Sequence, residues 1–372
     1  MKPLLGAVAL ILITAVAYLM LWPVPIDPVA WQAPRNDGYV GRFAPNDRLD
    51  ALVFAGLDGH TGPEDAAFGR DGSVYVAIHD GAIVKLDLVT GAAEEFARTG
   101  GRPLGIETGA DGRLYVADAF RGLMVVDQDG KVALLSNNTS DGSAILYANN
   151  LDIARSGVIY FSDASTKFGA KAIGGTYEAS LLDLMEHGPN ARVLRYDPAS
   201  GETQVIADGF SFANGVALAE DETYLLIAET GTYSVLKLWL TGEKAGEVET
   251  LIANLPGFPD NLKRGRDGTY WLGLVSPRSA PVDALSDKPF IRKVVQRLPA
   301  SLRPQAQRYG FILRFDGDGS VLETLQDADG QYALTTGAIE GPDGTLVVTS
   351  LIEPHLGFLQ PGWDSKTGDD ES

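Results

Sequence analysis

Short alternations of hydrophobic and polar residues, each introduced by a turn, recur six times along the chain. They lie at residues 71–76, 111–116, 156–161, 221–226, 267–272 and 343–348. Asp-Gly opens four of the six, and such a turn before an alternating run is typical of a β-hairpin. Most are followed by a third strand, and spacings of roughly 40 to 50 residues are typical of four-stranded blades. The pattern predicts an all-β, six-bladed β-propeller.

A second regularity lies eight residues before the second turn position of each repeat, where the innermost strand of a blade begins. The six positions are Glu64, Leu104, Asn149, Asn214, Asp260 and Thr336. Equivalent positions in a propeller converge on one end of its central channel. Four of them carry an oxygen that suits a hard cation. We refer to these six positions as the ring.

Buried carboxylates without compensation repel each other and lose their hydration. A single divalent cation, Ca²⁺ or another ion in its place, would remove that cost. We therefore predict that Glu64, Asn149, Asn214 and Asp260 bind one central metal ion. The alternative is that each polar side chain only caps its own loop.

The N-terminus carries an apolar run from Leu4 to Trp22, preceded by Lys2. About twenty such residues in a helix match the thickness of a bilayer, and the positive charge predicts a cytoplasmic N-terminus with the rest exported. Ala15 and Ala17 are compatible with signal cleavage, but the apolar run continues beyond them, which favours an uncleaved anchor. Residues 1–22 are thus a transmembrane anchor or a signal, and residues 23–48 a spacer.

The propeller is predicted over residues 49–360, with a leading strand at 49–54 that joins the last blade beside 357–359. The tail, residues 361–372, is polar and predicted to be disordered. Two insertions with helical patterns, at about 166–190 and 276–309, follow second strands. Because second strands end on the same face as the ring, both insertions are predicted to form a lid over it.

The second insertion combines basic and apolar residues. The basic ones are Arg278, Lys288, Arg292, Lys293, Arg297, Arg303 and Arg308. A basic amphipathic helix can lie on a lipid surface. The alternative is a solvated helix whose apolar face packs on the propeller.

The amino-acid composition excludes several classes of function. The formal net charge is -19, which argues against nucleic-acid binding and against anionic membranes as a partner for the protein as a whole. There is no cysteine, so disulfides and thiol chemistry are excluded. The four histidines show no spacing typical of a Ser-His-Asp triad or a zinc site.

Six segments in fixed order resemble the strictosidine synthase-like family, most closely its adipocyte plasma membrane-associated protein branch. They are residues 149–152, 159–165, 181–186, 212–216, 228–230 and 257–261. More distantly the chain is similar to paraoxonases, the senescence marker protein/gluconolactonase group and diisopropylfluorophosphatase, which are six-bladed calcium-dependent hydrolases. The resemblance implies that the four ring oxygens are calcium ligands and that Asn261 is a further ligand. The sequence differs from those families at Asn150, where they commonly have an aspartate.

The resulting prediction is a membrane-anchored, calcium-dependent esterase or lactonase acting on a small apolar substrate. Asp260 would be the nucleophile or general base, and His355 the best candidate for proton transfer. Further rim residues are predicted after the second strands: His79, Asp118, Asp163, Glu229 and Glu353. The alternatives are a non-catalytic, calcium-stabilised propeller that binds a partner and a strictosidine synthase-type condensation with Glu340 near its catalytic region.

Overall fold

The chain forms six four-stranded antiparallel sheets around a central channel, and the computed structural model describes residues 2–364. Each sheet is one blade, and the strands of a blade are consecutive except in the sixth. Blade 1 is β2–β5 (Pro63–Phe68, Val74–Ile78, Ala82–Leu86, Ala93–Arg98), blade 2 is β6–β9 (Pro103–Thr108, Leu114–Asp118, Gly122–Val126, Val132–Ser136), blade 3 is β10–β13 (Ala148–Ile153, Ile159–Asp163, Ala191–Asp197, Glu202–Phe210), blade 4 is β14–β17 (Ala213–Leu218, Tyr224–Glu229, Ser234–Trp239, Val248–Ile252), blade 5 is β18–β21 (Gly257–Arg264, Thr269–Pro277, Gly310–Asp316, Val321–Asp327), and blade 6 is β22–β24 (Thr335–Glu340, Leu346–Ser350, His355–Leu359) with β1 (Val53–Gly56). The predicted six-bladed propeller is confirmed.

The ring of blades is closed by the N-terminal strand. β1 pairs antiparallel with β24, with Phe54 opposite Gly357. The strand begins later than the sequence pattern predicts, because Arg48–Ala51 form a 3-10 turn that buries Leu49. The last blade is therefore completed by the first strand, which becomes its outermost strand and joins the two ends of the propeller.

The core lies between neighbouring blades, where the middle strands are buried on both faces. Trp271 of β19 is fully buried between blades 5 and 6. The innermost strands approach closely enough that a Cβ at Gly215 would lie 2.3 Å from the Leu262 nitrogen. Only glycine is compatible with that approach, which brings the starts of the inner strands together at the channel.

Within residues 2–364, five α-helices lie outside the blades. They are α1 (Lys2–Leu21), α2 (Ala170–Ile173), α3 (Thr176–Glu186), α4 (Ala280–Ala284) and α5 (Pro289–Gln296). α1 contains an 18-residue span of mean hydropathy 2.6 with no part buried, which is long and apolar enough to cross a membrane. The other four belong to the two insertions, which connect second to third strands in blades 3 and 5.

The segment after α1 is bound to the lid over part of its length. The Val29 amide donates to the Glu186 carbonyl (2.8 Å), and the Trp31 amide donates to the Ser286 carbonyl (3.0 Å). The Trp31 ring also stacks on His187, with ring centroids 4.0 Å apart. The predicted spacer is thus a strap that connects α1 to both insertions.

At the other end of the chain, residues 361–364 are described and continue the fold. The Trp363 indole donates to the Gly344 carbonyl (3.2 Å), and its ring lies 6.0 Å from that of Trp271. Residues 365–372 of the predicted tail lie outside the described residues.

Candidate functional site

All six ring positions lie at irregularities in the pairing of the innermost strands. The register shifts fall between Pro63 and Asp65, Pro103 and Gly105, Ala148 and Leu151, Ala213 and Val216, Pro259 and Leu262, and Thr335 and Gly337. A bulge adds an unpaired residue, bends the strand and redirects a side chain. Every blade therefore has a bulge at the channel mouth that can turn the side chain of its ring position toward the channel.

The four predicted ligands line one cavity of about 550 Å³. All four side chains are buried and contribute to the cavity lining: Glu64, Asn149, Asn214 and Asp260. Their polar atoms are therefore largely shielded from bulk water. The rest of the lining is mostly apolar and comes largely from the lid, including Leu181, Met185 and Val282 of the insertions and Phe212 and Phe258 of the propeller. The predicted convergence of the ring and the predicted lid are both present.

One of the two ring acids has a fixed partner. Glu64 Oε2 accepts a hydrogen bond from Arg102 Nη2 at 2.8 Å, and both side chains are buried. Arg102 Nη1 donates to the Pro103 carbonyl, while its Nε has no hydrogen-bond partner within residues 2–364. Burial raises the pKa of Glu64, and the charge of Arg102 offsets part of that rise.

Arg102 also lines the cavity, and sequence reasoning missed it. The available signal was a charged residue two positions before Leu104, the ring position that offers no oxygen. Arg102 lies outside the register that the ring positions share, so the equivalence of the blades does not predict that its side chain reaches the ring.

The second ring acid lacks such a partner. Burial, followed by the negative charge of Glu64, raises the pKa of Asp260 well above its usual range, and a hydrogen bond from Asn214 opposes this. Asn214 Oδ1 is buried and finds no hydrogen-bond partner among the described residues. An orphaned amide oxygen beside a destabilised carboxylate indicates that the site lacks a positive charge.

These donors suit a hard divalent cation better than a transition metal. Calcium takes carboxylate and amide oxygens, and two amides with two acids supply four of the six to eight ligands that it usually has. Across residues 2–364, no three His, Cys, Asp or Glu side chains gather as a metal cluster, because two of the four predicted ligands are amides. The charge of Arg102, which is bonded to the ring residue Glu64, opposes the binding of a cation at this site.

Asn261 has a different position from the one that the resemblance implied. Its Nδ2 donates to the Glu64 carbonyl (2.9 Å) and its Oδ1 accepts from Asn150 Nδ2 (3.2 Å). It does not line the cavity. Asn261 and Asn150 instead link three innermost strands directly behind the ring, so the prediction of Asn261 as a further ligand is not supported by this geometry.

The acids at the ends of second strands are not rim residues either. The cavity lining includes none of the four acids, all of which are buried: Asp118, Asp163, Glu229 and Glu353. Each accepts a backbone N–H from the loop that leads into an innermost strand, and we refer to these four as the loop clamps. The pairs are Asp118 with Arg102 N (3.0 Å), Asp163 with Tyr147 N (2.8 Å), Glu229 with Ser211 N (2.8 Å) and Glu353 with Ala333 N (3.2 Å).

The two candidate histidines differ in their position relative to the cavity. His79 lines the cavity, and burial together with the charge of Arg102 lowers its pKa, which favours the neutral ring. His355 is exposed at the start of β24, 6.1 Å from the Phe54 ring and outside the cavity lining. The structure therefore does not place His355 in the cavity lining, so this geometry does not support its predicted role in proton transfer.

Glu340 lies at the far end of the channel. It is the last residue of β22, and it pairs with Arg266 (3.2 Å) and accepts from the Trp271 indole (3.3 Å). It lines the opposite mouth, together with Arg264 and Asp152. The acid considered for a condensation is thus not at the cavity.

Comparisons with known proteins agree with this architecture. A strictosidine synthase family model matches residues 149–243, and a strictosidine synthase-like N-terminal model matches residues 41–86. Adipocyte plasma membrane-associated protein of Rattus norvegicus is 31% identical over 95% of this chain and 95% of its own length.

Two solved structures share the fold. A gluconolactonase of Xanthomonas campestris has a TM-score of 0.61 at 18% identity, covering 91% of this chain and 98% of its own. Regucalcin of Agrobacterium tumefaciens, described as a calcium-binding protein, has a TM-score of 0.57 at 16% identity, covering 83% and 94%. Identities this low establish likeness of fold alone.

Proposed function

Because the chain belongs to the strictosidine synthase-like family that includes adipocyte plasma membrane-associated protein, we propose that it is a membrane-anchored, calcium-dependent hydrolase of an apolar ester or lactone. The observation that carries the proposal is the orphaned Asn214 Oδ1 beside the buried Asp260 carboxyl, at one end of a largely apolar cavity. Fold relatives that include a gluconolactonase and a calcium-binding protein are consistent with it.

The ion would be held by Glu64, Asn149, Asn214 and Asp260. When bound, calcium supplies a positive charge that polarises a carbonyl and stabilises a developing oxyanion. Asp260 acts as the nucleophile or as the general base toward a water, since its carboxyl faces the space where the substrate lies. Asn214 orients that carboxyl by its hydrogen bond.

The lining defines the class of substrate. A volume of about 550 Å³ suits a small to medium ligand, and the lid provides Leu181, Leu184 and Met185 as an apolar surface. Burial of the apolar part of an ester there excludes water from the reacting carbonyl and strengthens the electrostatic interactions in the site. Charged substrates fit less well because Arg102, the cation on the ring, is already paired.

The anchor is part of the proposal. α1 is an exposed apolar helix of membrane-spanning length, and the rat relative is named for association with the plasma membrane. The short N-terminal flank carries Lys2, so the expected topology is a cytoplasmic N-terminus and an exported propeller. An exported site would also face the higher calcium concentrations outside the cytoplasm.

The test uses the full chain in detergent, with phenyl acetate and a simple γ-lactone as probes, in calcium and in chelator. We expect turnover that chelator abolishes, and a loss of at least 100-fold in Asp260→Asn with the melting temperature retained in calcium. Asp221→Asn, an exposed turn aspartate at the opposite end of blade 4, is the matched control and should keep full activity. Turnover that survives chelator or Asp260→Asn would contradict the mechanism.

A non-catalytic, calcium-stabilised propeller is the second candidate, and one observation favours it. Arg102 already neutralises Glu64, so the ring is partly compensated without any ion. In that case neither probe is hydrolysed, and chelator lowers only the melting temperature.

A further inference from the structure

The lid helix α5 has its polar and apolar faces reversed. Phe290 and Ile291 are 53% and 41% exposed, and Val294 and Leu298 continue the same arc half-buried. On the opposite face Arg292 is only 1% exposed and Gln296 is buried. A surface helix of a soluble domain turns its apolar stripe inward, so this orientation indicates that the outward face meets something other than water.

The inward face is held by specific bonds. Arg292 Nη1 donates to the Met185 carbonyl (3.1 Å) at the end of α3, and its Nη2 donates to the Ser286 carbonyl (3.1 Å) and to the Val29 carbonyl of the strap. A guanidinium bound to carbonyls of three segments fixes the rotation of α5. The exposed arc is therefore a consequence of the fold.

The predicted basic surface is mostly absent. Six of the seven basic residues of the second insertion are turned inward or paired with acids. These are Arg278 with Asp283 (2.9 Å), Lys288 with Asp287 (2.9 Å), Lys293 with Asp27 (2.7 Å), Arg292 with the carbonyls above, Arg297 with carbonyls of the N-terminal segment, and Arg308 with Glu353 (2.7 Å). The outward face of α5 thus offers apolar area rather than free positive charge.

α5 is also attached to the end of the membrane-spanning helix. Arg297 Nη1 donates to the Leu19 carbonyl (2.9 Å), and its Nε donates to the Trp22 carbonyl. The last carbonyls of a helix lack partners within it, and a cation there is favourable. Tyr18 and Trp22 are exposed beside this contact, as is typical of residues at the level of lipid headgroups. The C-terminal end of α5 is therefore fixed at the place where α1 leaves the bilayer.

From these contacts we infer that α5 lies in the interfacial region of the leaflet from which α1 emerges. Phe290, Ile291, Val294 and Leu298 are its lipid-facing arc, and the neighbouring Leu302, 66% exposed, extends the same apolar surface. The attraction is apolar, so it does not depend on anionic lipid.

This contact also specifies the source of the substrate, a point that rests on the proposed function. Gln296, Ala300 and Arg303, at the C-terminal end of α5 and just beyond it, line the cavity, and so does Pro25 of the strap. The roof of the cavity is consequently built from the same elements that meet the bilayer. The substrate class is an ester or lactone that is dissolved in the membrane and enters beneath α5.

A depth measurement tests the contact. The chain has no cysteine, so Phe290→Cys and Ile291→Cys in the full-length protein give single fluorophore sites. Val89→Cys is the control, because Val89 is 95% exposed in the β4–β5 turn at the opposite end of the propeller. In phosphatidylcholine vesicles, nitroxide-labelled lipid should quench the labels at 290 and 291 at least fivefold more than the label at 89. Equal quenching at all three sites would overturn the inference.

A second arm tests whether attraction is apolar. Replacing a fifth of the phosphatidylcholine by phosphatidylglycerol should change the quenching at 290 and 291 by less than twofold, in low or high salt. Quenching that appears only with phosphatidylglycerol would overturn the apolar contact in favour of an electrostatic one.

A kinetic arm separates this inference from the proposed function. The double variant Phe290→Glu with Ile291→Glu should hydrolyse water-soluble phenyl acetate within twofold of wild type, but a long-chain ester embedded in vesicles at least tenfold more slowly. Leu322→Glu, which changes a similarly exposed leucine of β21, should affect neither. Equal loss on both esters would overturn the membrane route. A wild-type protein that hydrolyses neither ester refutes the proposed function and with it this route, while the depth measurement still decides the contact.

Discussion

Arg102 Nη2 donates to Glu64 Oε2 at 2.8 Å, which places a permanent cation against one of the two acids in the candidate calcium site. Both side chains are 3% exposed, so little solvent screens the pair. With Asp260 ionised, the two acids and Arg102 carry a net charge of one negative instead of two. Calcium affinity in oxygen sites depends on the charge of the ligands. We therefore expect the ring to fold without an ion and the proposed calcium site to have modest affinity.

Replacing Arg102 should strengthen cation binding. In Arg102→Gln the repulsion between guanidinium and ion is removed, and we expect the calcium dissociation constant to fall at least tenfold, measured by calorimetry. Glu64 would be left buried without its partner, so the variant should melt lower than wild type in chelator and gain more on adding calcium. Arg113→Gln, an exposed arginine at the opposite end of blade 2, should change neither quantity. If the dissociation constant instead rises in Arg102→Gln, Arg102 would have the role of positioning Glu64 for the ion.

Asn214→Leu distinguishes a cation ligand from a loop cap. Leucine removes the hydrogen bond that Asn214 donates to Asp260, but it also removes a buried carbonyl without a partner, which costs about 1–3 kcal/mol. Because the two effects offset each other, the leucine variant in chelator should have a free energy of unfolding within about 1 kcal/mol of wild type. In calcium, wild type should gain stability and Asn214→Leu should not. The comparison is made by chemical unfolding in both conditions. Equal calcium stabilisation of the two proteins would place the ion elsewhere.

Asp163 should behave as a structural residue although it lies close to the channel mouth. Asp163→Asn removes the charge that pairs with Arg192 (3.0 Å), in a position with no exposed surface. Loss of one partner of a buried ion pair typically costs about 3 kcal/mol or more. Unfolding experiments should show that loss to the same extent in calcium and in chelator. A loss of stability seen only in the presence of calcium would instead indicate that Asp163 belongs to the metal site.

Asp183 of α3 should make the stability of the protein fall as pH rises. Its Oδ2 accepts from Ser165 (2.6 Å) and Asn190 (3.1 Å), and burial raises its pKa to about 7. Because the folded state then binds the proton more tightly than the unfolded chain, stability declines between about pH 4 and pH 7. One group contributes at most about 1.4 kcal/mol per pH unit. The difference between wild type and Asp183→Asn, measured by denaturant unfolding from pH 4.5 to 8, should follow that course, and a constant difference would contradict it.

The fold could be predicted from the sequence because the same turn-and-strand pattern is repeated in every blade. Turn pairs such as Asp71-Gly72 and Asp267-Gly268 recur at blade spacing, and the partner of β1 follows from the need to close a ring. The start of β1 was less predictable. Leu49 belongs to an apolar run that suits a strand, but its burial against blade 5 requires a 3-10 turn there.

The site was predictable only where one position per blade decides it. Glu64, Asn149, Asn214 and Asp260 share a register, and a bulge in each innermost strand directs all of them to one cavity. The loop clamps lie at or just after the ends of second strands, yet that position alone could not tell whether they face the cavity or a neighbouring loop. That difference depends on backbone N–H groups that need acceptors, and these are evident only in three dimensions.

The pairing of β1 with β24 also constrains synthesis. The two strands are separated by about 300 residues, so β24 is synthesised long after β1. Until blade 6 has been made, β1 has no strand partner and its hydrogen-bonding edge is open. The N-terminal strand must therefore wait unpaired while five blades are translated, and the propeller closes late in synthesis.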